Sequence, residues 1–283
     1  MSFSRKDVID YYDKTEISFR LWWDLNTSMA MHFGYTDEKA KTFRESLIRF
    51  NEVMAEQARI GKDDRVYDAG CGVGGSSIYL THKYGCSAVG ATVCPKQTRS
   101  ATLNAQRKGV ADRTRFVEMD YCRPGFKDAS FTVVWGLESI CYAESKRKFV
   151  HEAYRMLKPG GRIIVADGFA SKHDYTPREQ KIMNGWLSGW AVNSIDTGND
   201  FIKYGEEIGF KNMSYRNVTR NVMPSSRKLF MFSIPAIILA KIQHRLGFIS
   251  YLESLHSITL YYQYVGLKKK VWEYGIFYGE KGE

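Results

Sequence analysis

A single carboxylate, Glu138, stands in the apolar sequence VWGLESICYAES, directly after residues typical of a buried strand. No lysine or arginine is adjacent to it in the sequence to match its charge. A carboxylate in an apolar site can accept a proton, and it can stabilise positive charge that develops on a substrate. The pattern therefore indicates either of these two roles. The alternative is an acid that only holds a backbone amide or a water molecule.

A second group of residues is the glycine-rich sequence VYDAGCGVGG, between an apolar strand and a helix. Glycines let the backbone turn tightly and approach a ligand closely, and the following helix offers unpaired N–H groups. The spacing differs from the dinucleotide pattern G-x-G-x-x-G. Asp68 precedes the first glycine by two residues, where a carboxylate can meet a cationic group. This arrangement fits S-adenosylmethionine better than a pyrophosphate.

The elements that carry these residues are short apolar strands that alternate with helices from Arg65 onward. The strands are RVYDAG, SAVGATV, RFVEMD, FTVVWG and GRIIVAD, and VWEYGIFYG is a last strand near the C-terminus. Helices are predicted from Ser4, after Thr36, before Gly85, over Pro95–Lys108, over Lys146–Leu157 and over Thr176–Val192. This order predicts an α/β fold with a parallel, doubly wound sheet, which binds ligands beyond the carboxyl ends of its strands.

Three motifs in succession, VYDAGCGVGG, MDYCRPGF and LKPGGRIIVAD, resemble those of class I S-adenosylmethionine-dependent methyltransferases over about residues 62–170. The resemblance implies a Rossmann-like core that binds S-adenosylmethionine. It places the methionine portion of the cofactor at Asp68 and the glycine loop, and the adenine between Asp120 and Tyr121. The predicted cofactor residues are Asp68, Gly70, Cys71, Gly72, Gly74, Thr92, Gln97, Asp120, Tyr121 and Trp135.

The usual ribose-binding acid after the second strand is missing, and the sequence there reads GATVCPKQ. This segment resembles a subgroup in which Thr92 and Gln97 would make the polar contacts. The subgroup includes sterol, tocopherol and prenyl-diphosphate C-methyltransferases and cyclopropane fatty acid synthases. An ordinary strand hydroxyl is the alternative for Thr92.

The N-terminal sequence YYDKTEISFRLWWDLNTSMAMHFGY also resembles the tyrosine-rich opening of the sterol and tocopherol enzymes. If an alkene attacks the sulfonium methyl, aromatic faces and a carboxylate can stabilise the resulting cation. Glu138 and Tyr12 are the catalytic candidates, and His32 would be a general base if oxygen is methylated. The predicted substrate-binding residues are Trp22, Tyr142, Trp186 and Trp190. His173 is a further candidate base, and each aromatic residue could instead be core.

The composition bounds these possibilities. The 283 residues carry a formal charge of +10, which permits a diphosphate, nucleic acid or anionic membrane as partner. The fourth strand ends in WGLESI, without the Asn/Asp-Pro-Pro-aromatic motif of base-amine methylases, so no nucleic acid is expected. The apolar run LFMFSIPAIILA, near basic residues, is too short to span a bilayer but could touch one. A homo-oligomer is also left open.

The five cysteines form no C-x-x-C pair, which indicates no metal site and suggests a reducing compartment, the cytoplasm.

The predicted organisation is an N-terminal helical cap (1–61), a cofactor-binding core (62–170), and cap insertions that complete the sheet (171–283). The predicted function is C-methylation of an apolar isoprenoid, with O- or N-methylation of a natural product or small amine as the alternative. A nucleic-acid methylase or a non-catalytic cofactor-binding protein is a more distant alternative. Mg²⁺ is expected only if the acceptor carries a diphosphate.

Overall fold

The computed structural model describes residues 3–22, 25–245 and 251–283, and in these residues seven strands form one sheet. Their order across the sheet is β3-β2-β1-β4-β5-β7-β6. The strands are β1 (Arg65–Ala69), β2 (Ser87–Thr92), β3 (Thr114–Glu118), β4 (Phe131–Leu137), β5 (Leu157–Ala170), β6 (Phe210–Asn217) and β7 (Trp272–Lys281). The Rossmann-like α/β fold predicted from the sequence is therefore confirmed.

Helices cover both faces of the sheet. They are α1 (Arg5–Trp22), α2 (Leu25–Ser28), α3 (Phe43–Gln57), α4 (Gly75–Tyr84), α5 (Pro95–Arg107), α6 (Lys146–Met156), α7 (Pro177–Gly189), α8 (Gly198–Ile208), α9 (Thr219–Arg245) and α10 (Tyr251–Lys268). The second predicted helix begins later than its first signal, because Thr42 and Glu45 form a capping box there. Thr36 instead lies in the irregular segment that leads to that cap.

The last strand corrects the prediction of an all-parallel sheet. Strands β1 to β5 pair in parallel, but β7 lies between β5 and β6 and is antiparallel to both. Six consecutive residues of β7 are buried, as expected for an interior strand covered on both faces. A strand buried on both faces shows the same apolar run in either direction, so the sequence alone does not reveal its orientation.

Alternate residues of β4 belong to the two apolar layers of the core. Val133 and Trp135 pack on the face covered by α3, α7 and α10, whereas Val134 packs with α6 and α8. Because β1, β2 and β4 are parallel, their carboxyl ends lie at one edge of the sheet. Glu138 follows the end of β4, and the N-terminal segment brings Tyr12 and His32 to the same edge.

Candidate active site

A partly open cavity lies at the carboxyl ends of β1, β2 and β4. We call it the cofactor cavity. Seven of the ten predicted cofactor residues line it: Asp68, Gly70, Cys71, Gly72, Thr92, Gln97 and Tyr121. Residues from the N-terminal segment line it as well, including Tyr12, Met29, Met31 and His32.

The glycine loop between β1 and α4 needs its glycines. Gly70 and Gly74 have φ values of +87° and +88°, in the left-handed region that favours glycine. A Cβ atom on Gly70 would lie 2.3 Å from the Cβ of Ser139, and one on Gly74 would lie 2.9 Å from the Phe116 ring. Only glycines therefore fit here. They hold the loop against the sheet with the N-terminus of α4 at the cavity.

Asp68 is buried on this cavity, and Ser77 Oγ donates to its Oδ2 at 2.7 Å. Loss of hydration raises the pKa of Asp68 to about 6. Within the described residues, no lysine or arginine forms an ion pair with this carboxylate. A buried acid beside a glycine cradle fits a ligand that brings its own positive charge, as the amino group of S-adenosylmethionine would.

Thr92 and Gln97 are joined on the cavity wall, because Thr92 Oγ1 donates to Gln97 Oε1 at 2.7 Å. Tyr121 donates from its hydroxyl to the carbonyl oxygen of Ser139 at 2.5 Å, which ties the ends of β3 and β4 together. The predicted polar pair and the predicted aromatic residue thus lie on one cavity.

Three predicted cofactor residues do not line the cavity. Trp135 is fully buried in the core, because β4 directs it into the layer shared with Val133. Asp120 accepts from the backbone N–H of Cys122 at 2.8 Å and supports the turn after β3. Gly74 contributes through loop geometry instead.

Glu138 follows β4 and has a φ of +50°, which is unusual for a residue with a side chain and costs about 1 kcal/mol or more. Its Oε1 accepts from the backbone N–H of Phe33 at 2.6 Å and from the Tyr274 hydroxyl at 2.7 Å. Its Oε2 has no donor among the described residues. Desolvation raises the pKa of Glu138 to about 8, against the effect of these two hydrogen bonds.

A second, smaller cavity also has Glu138 in its lining, and we call it the acceptor cavity. Its lining is mainly apolar and aromatic: Phe33, Glu138, Cys141, Asp167, Gly168, Trp186, Leu187, Trp190, Val192, Ile195, Gln263, Trp272 and Tyr274. The predicted substrate residues Trp186 and Trp190 are both here. Trp186 stacks on Trp272 with ring centroids 4.0 Å apart, and none of the described lining residues is a lysine or arginine.

Asp167 supports the loop that carries Glu138. Its two carboxylate oxygens accept from the backbone N–H groups of Cys141 at 2.9 Å and Gly168 at 2.8 Å. Lys146 is buried nearby, and its Nζ donates to the carbonyl oxygens of Cys141, Ala143 and Ser194. These contacts fix the segment after β4 and hence the position of Glu138.

His32 lines the cofactor cavity but is a weak base. Its Nδ1 lies 2.7 Å from the carbonyl oxygen of Phe33, so this nitrogen carries the proton. Burial lowers the pKa of His32 to about 4. The imidazole is therefore neutral at pH 7, and Glu138 is the stronger candidate for accepting a proton.

The remaining predicted residues are distributed more widely. Tyr12 and Tyr142 lie on the cofactor cavity with ring centroids 5.8 Å apart, and the acceptor cavity does not include Tyr142. Trp22 ends α1, and its side chain lies outside the described part of the structure. His173 lies away from both cavities, where it contacts Asp200 at 3.5 Å and is mostly exposed.

Several residues of the site were not identified from the sequence. Met31, Phe33 and Tyr274 reach it from segments distant in the chain. Ser139 was adjacent to a predicted residue, and its Oγ donates to the carbonyl oxygen of Ala69 at the end of β1. Ser139 is next to Glu138, and Met31 and Phe33 flank His32, so adjacency to a predicted residue was the local signal for these three, and Tyr274 had none.

Comparison with known proteins identifies the family. Residues 67–165 match the family described as a methyltransferase domain. The 27-O-demethylrifamycin SV methyltransferase of Amycolatopsis mediterranei is 32% identical over 203 residues, which cover 70% of this chain and 72% of that protein. A chloroplastic tocopherol O-methyltransferase of Arabidopsis thaliana is 27% identical over 98% of this chain and 82% of its own length.

The solved structures agree with the fold. The geranyl diphosphate C-methyltransferase of Streptomyces coelicolor A3(2), in complex with Mg²⁺, a substrate analogue and S-adenosyl-L-homocysteine, has a TM-score of 0.74 at 16% identity. The match covers 98% of this chain and 97% of that chain. Fold and site together define a Rossmann-like methyltransferase, and the chain belongs to the S-adenosylmethionine-dependent methyltransferase family.

Proposed function

We propose that this methyltransferase adds a methyl group to an alkene carbon of an apolar, isoprenoid-type acceptor. The observation that carries the proposal is the position of Glu138, where the cofactor cavity meets an aromatic acceptor cavity. S-adenosylmethionine supplies an electrophilic methyl group on a positively charged sulfur. As the new carbon–carbon bond forms and the carbon–sulfur bond breaks, positive charge passes to the acceptor.

Glu138 and the aromatic residues of the acceptor cavity can stabilise that charge. Because its pKa is about 8, Glu138 must first lose its proton. The ionised carboxylate then stabilises the developing cation and accepts the proton that leaves the neighbouring carbon. The faces of Phe33, Trp190 and Tyr274 add a weaker attraction for the same charge. Tyr274 and the backbone N–H of Phe33 hold the carboxylate in place, so it needs no rearrangement during the reaction.

A neutral acceptor fits the acceptor cavity better than a prenyl diphosphate. The described lining contains the acids Glu138 and Asp167 and no lysine or arginine. Phosphate oxygens are normally bound by such cations or by a metal ion. Mg²⁺ accordingly enters the proposal only with a diphosphate acceptor. The proposed role is in natural-product biosynthesis in the cytoplasm. The five free cysteines are consistent with that reducing compartment.

O-methylation of an apolar alcohol or phenol is the second candidate. The Arabidopsis relative is named an O-methyltransferase, and a carboxylate with a pKa of about 8 is a suitable base for a hydroxyl. The density of aromatic rings favours the first candidate, because a hydroxyl that loses its proton during attack leaves no positive charge for them to stabilise.

The test is a methyl-transfer screen with isotopically labelled S-adenosylmethionine. The acceptors are sterols, prenylated aromatics, prenyl diphosphates, and natural products with hydroxyl or amine groups. Mass spectrometry locates the new methyl group. We expect it on an alkene carbon of a neutral isoprenoid. A methyl group found only on oxygen or nitrogen would overturn the proposal in favour of the alternative.

A further inference from the structure

Helix α9 presents a row of apolar side chains to solvent. Met231 is 58% exposed, Ile234 is 47% exposed and Ile242 is 52% exposed. Their spacing of three and eight residues places them on one side of a helix. Exposed apolar residues are ordinary when scattered, but a row on one helix face indicates a contact surface.

Basic residues flank this row, and the helix has no acid. Arg227 precedes the apolar residues and Arg245 follows them, and both are exposed. The sequence from Thr219 to Arg245 contains no aspartate or glutamate. An apolar row between arginines on a helix without acids is typical of helices that lie in the interface of an anionic bilayer.

The other side of α9 is part of the cap over the acceptor cavity. Val222, Ser225 and Leu229 are buried, and Ser225 Oγ accepts from the backbone N–H of Gly34. Helix α9 packs on α10, and α10 packs on α7. Since α7 supplies Trp186 and α10 supplies Gln263 to the acceptor cavity, α9 forms the outer layer of the cap.

We propose that the exposed face of α9, from Arg227 to Ile242, docks the enzyme on an anionic lipid bilayer. The chemistry that recognises the bilayer is apolar insertion by Met231, Ile234 and Ile242 together with attraction of the arginines to anionic headgroups. None of the helices in the part of the chain that the structure describes has the length and hydropathy of a membrane span. The docking does not depend on the proposed function.

Vesicle flotation of the full-length protein tests the docking directly. The vesicles are phosphatidylcholine alone and phosphatidylcholine with phosphatidylglycerol. We expect the wild type to float only with the anionic vesicles. Met231→Glu combined with Ile234→Glu should lower the bound fraction about tenfold or more. Arg227→Glu should lower the vesicle partition coefficient about fivefold or more and weaken its dependence on salt.

Leu103→Glu is the matched control, because Leu103 is 51% exposed on α5, which packs on β2 and β3 at the other end of the sheet. We expect this variant to float like the wild type. Flotation of the Met231/Ile234 variant like the wild type would overturn the proposal. The proposal would also be overturned if the wild type did not float and if light scattering showed a wild-type dimer that the Met231/Ile234 variant does not form. Methylation of a water-soluble acceptor should be equal in all variants, so failure of the docking and failure of the proposed function are distinguishable.

Discussion

Asp68 is buried and Glu138 is partly buried on the same cavity, and desolvation raises the pKa of both. The energetic cost of an unpaired buried charge is removed when a cation binds beside it. Asp68 is therefore better suited to the cofactor-bound state than to the empty one, whereas Glu138 acts on charge that develops on the acceptor. The two differ in position, because Glu138 also borders the acceptor cavity.

Asp68→Asn should weaken S-adenosylmethionine binding about tenfold to a hundredfold, since a charge-assisted hydrogen bond contributes about 1.5–3 kcal/mol. The amide oxygen can still accept from Ser77, so the fold should be retained. Titration calorimetry measures the affinity. Unchanged affinity would show that the methionine portion of the cofactor is held elsewhere.

At the scale of elements, the glycine loop is the part of the site that the sequence specifies most fully. The types and order of its residues predicted a tight turn between a strand and a helix, and β1 and α4 flank it as expected. The loop also depends on Ser139 of a different segment, which leaves no room for a Cβ at Gly70. That contact is tertiary and could not be deduced from the loop itself.

Gly70→Ala should abolish measurable cofactor binding or reduce it by about a hundredfold, because it combines a clash with Ser139 and an unfavourable positive φ. Gly61→Ala is the control, since Gly61 has no neighbouring atom within 4 Å of an added Cβ. Calorimetry with both variants, checked by circular dichroism, measures the difference. Equal affinities in the two variants would contradict the close-packed loop.

The sequence predicted the strand ends of the site better than the tertiary contacts that complete it. Asp68 and Thr92 lie at the carboxyl ends of β1 and β2, and Glu138 directly follows β4. The apolar runs and the residues that end them were enough to identify these strand ends from the sequence. Phe33 and Tyr274, which bind the carboxylate of Glu138, come from an irregular segment and an antiparallel strand. Their contacts with Glu138 are tertiary. A single aromatic residue in a sequence does not indicate which distant residue it will contact.

At the scale of the whole molecule, buried titratable groups make stability depend on pH. The pKa of Glu138 is raised to about 8 in the folded protein, so the folded state holds a proton that the unfolded chain has lost. This contribution is fully present below the unfolded pKa and is lost as pH rises through about 8. The lowered pKa of His32 has the opposite effect, because it makes stability rise with pH, but only below about pH 6.5.

The cofactor-free protein should therefore lose about 1–2 kcal/mol of unfolding free energy between about pH 6.5 and 8.5 because of Glu138. Glu138→Gln should remove this loss, because the amide does not titrate and its oxygen can still accept from Tyr274 and Phe33. Denaturant unfolding at several pH values measures the effect. Parallel pH curves for the variant and the wild type would indicate that Glu138 does not have the raised pKa.

The central claim is that Glu138 acts on charge in the transition state, and kinetics of Glu138→Gln test it most directly. We expect kcat to fall by about a hundredfold or more while the dissociation constant of S-adenosylmethionine changes by less than about threefold. Glu144→Gln, an exposed acid in the same segment, should match the wild type in both. Small and equal changes in kcat and cofactor affinity would contradict the account and leave Glu138 with a structural role.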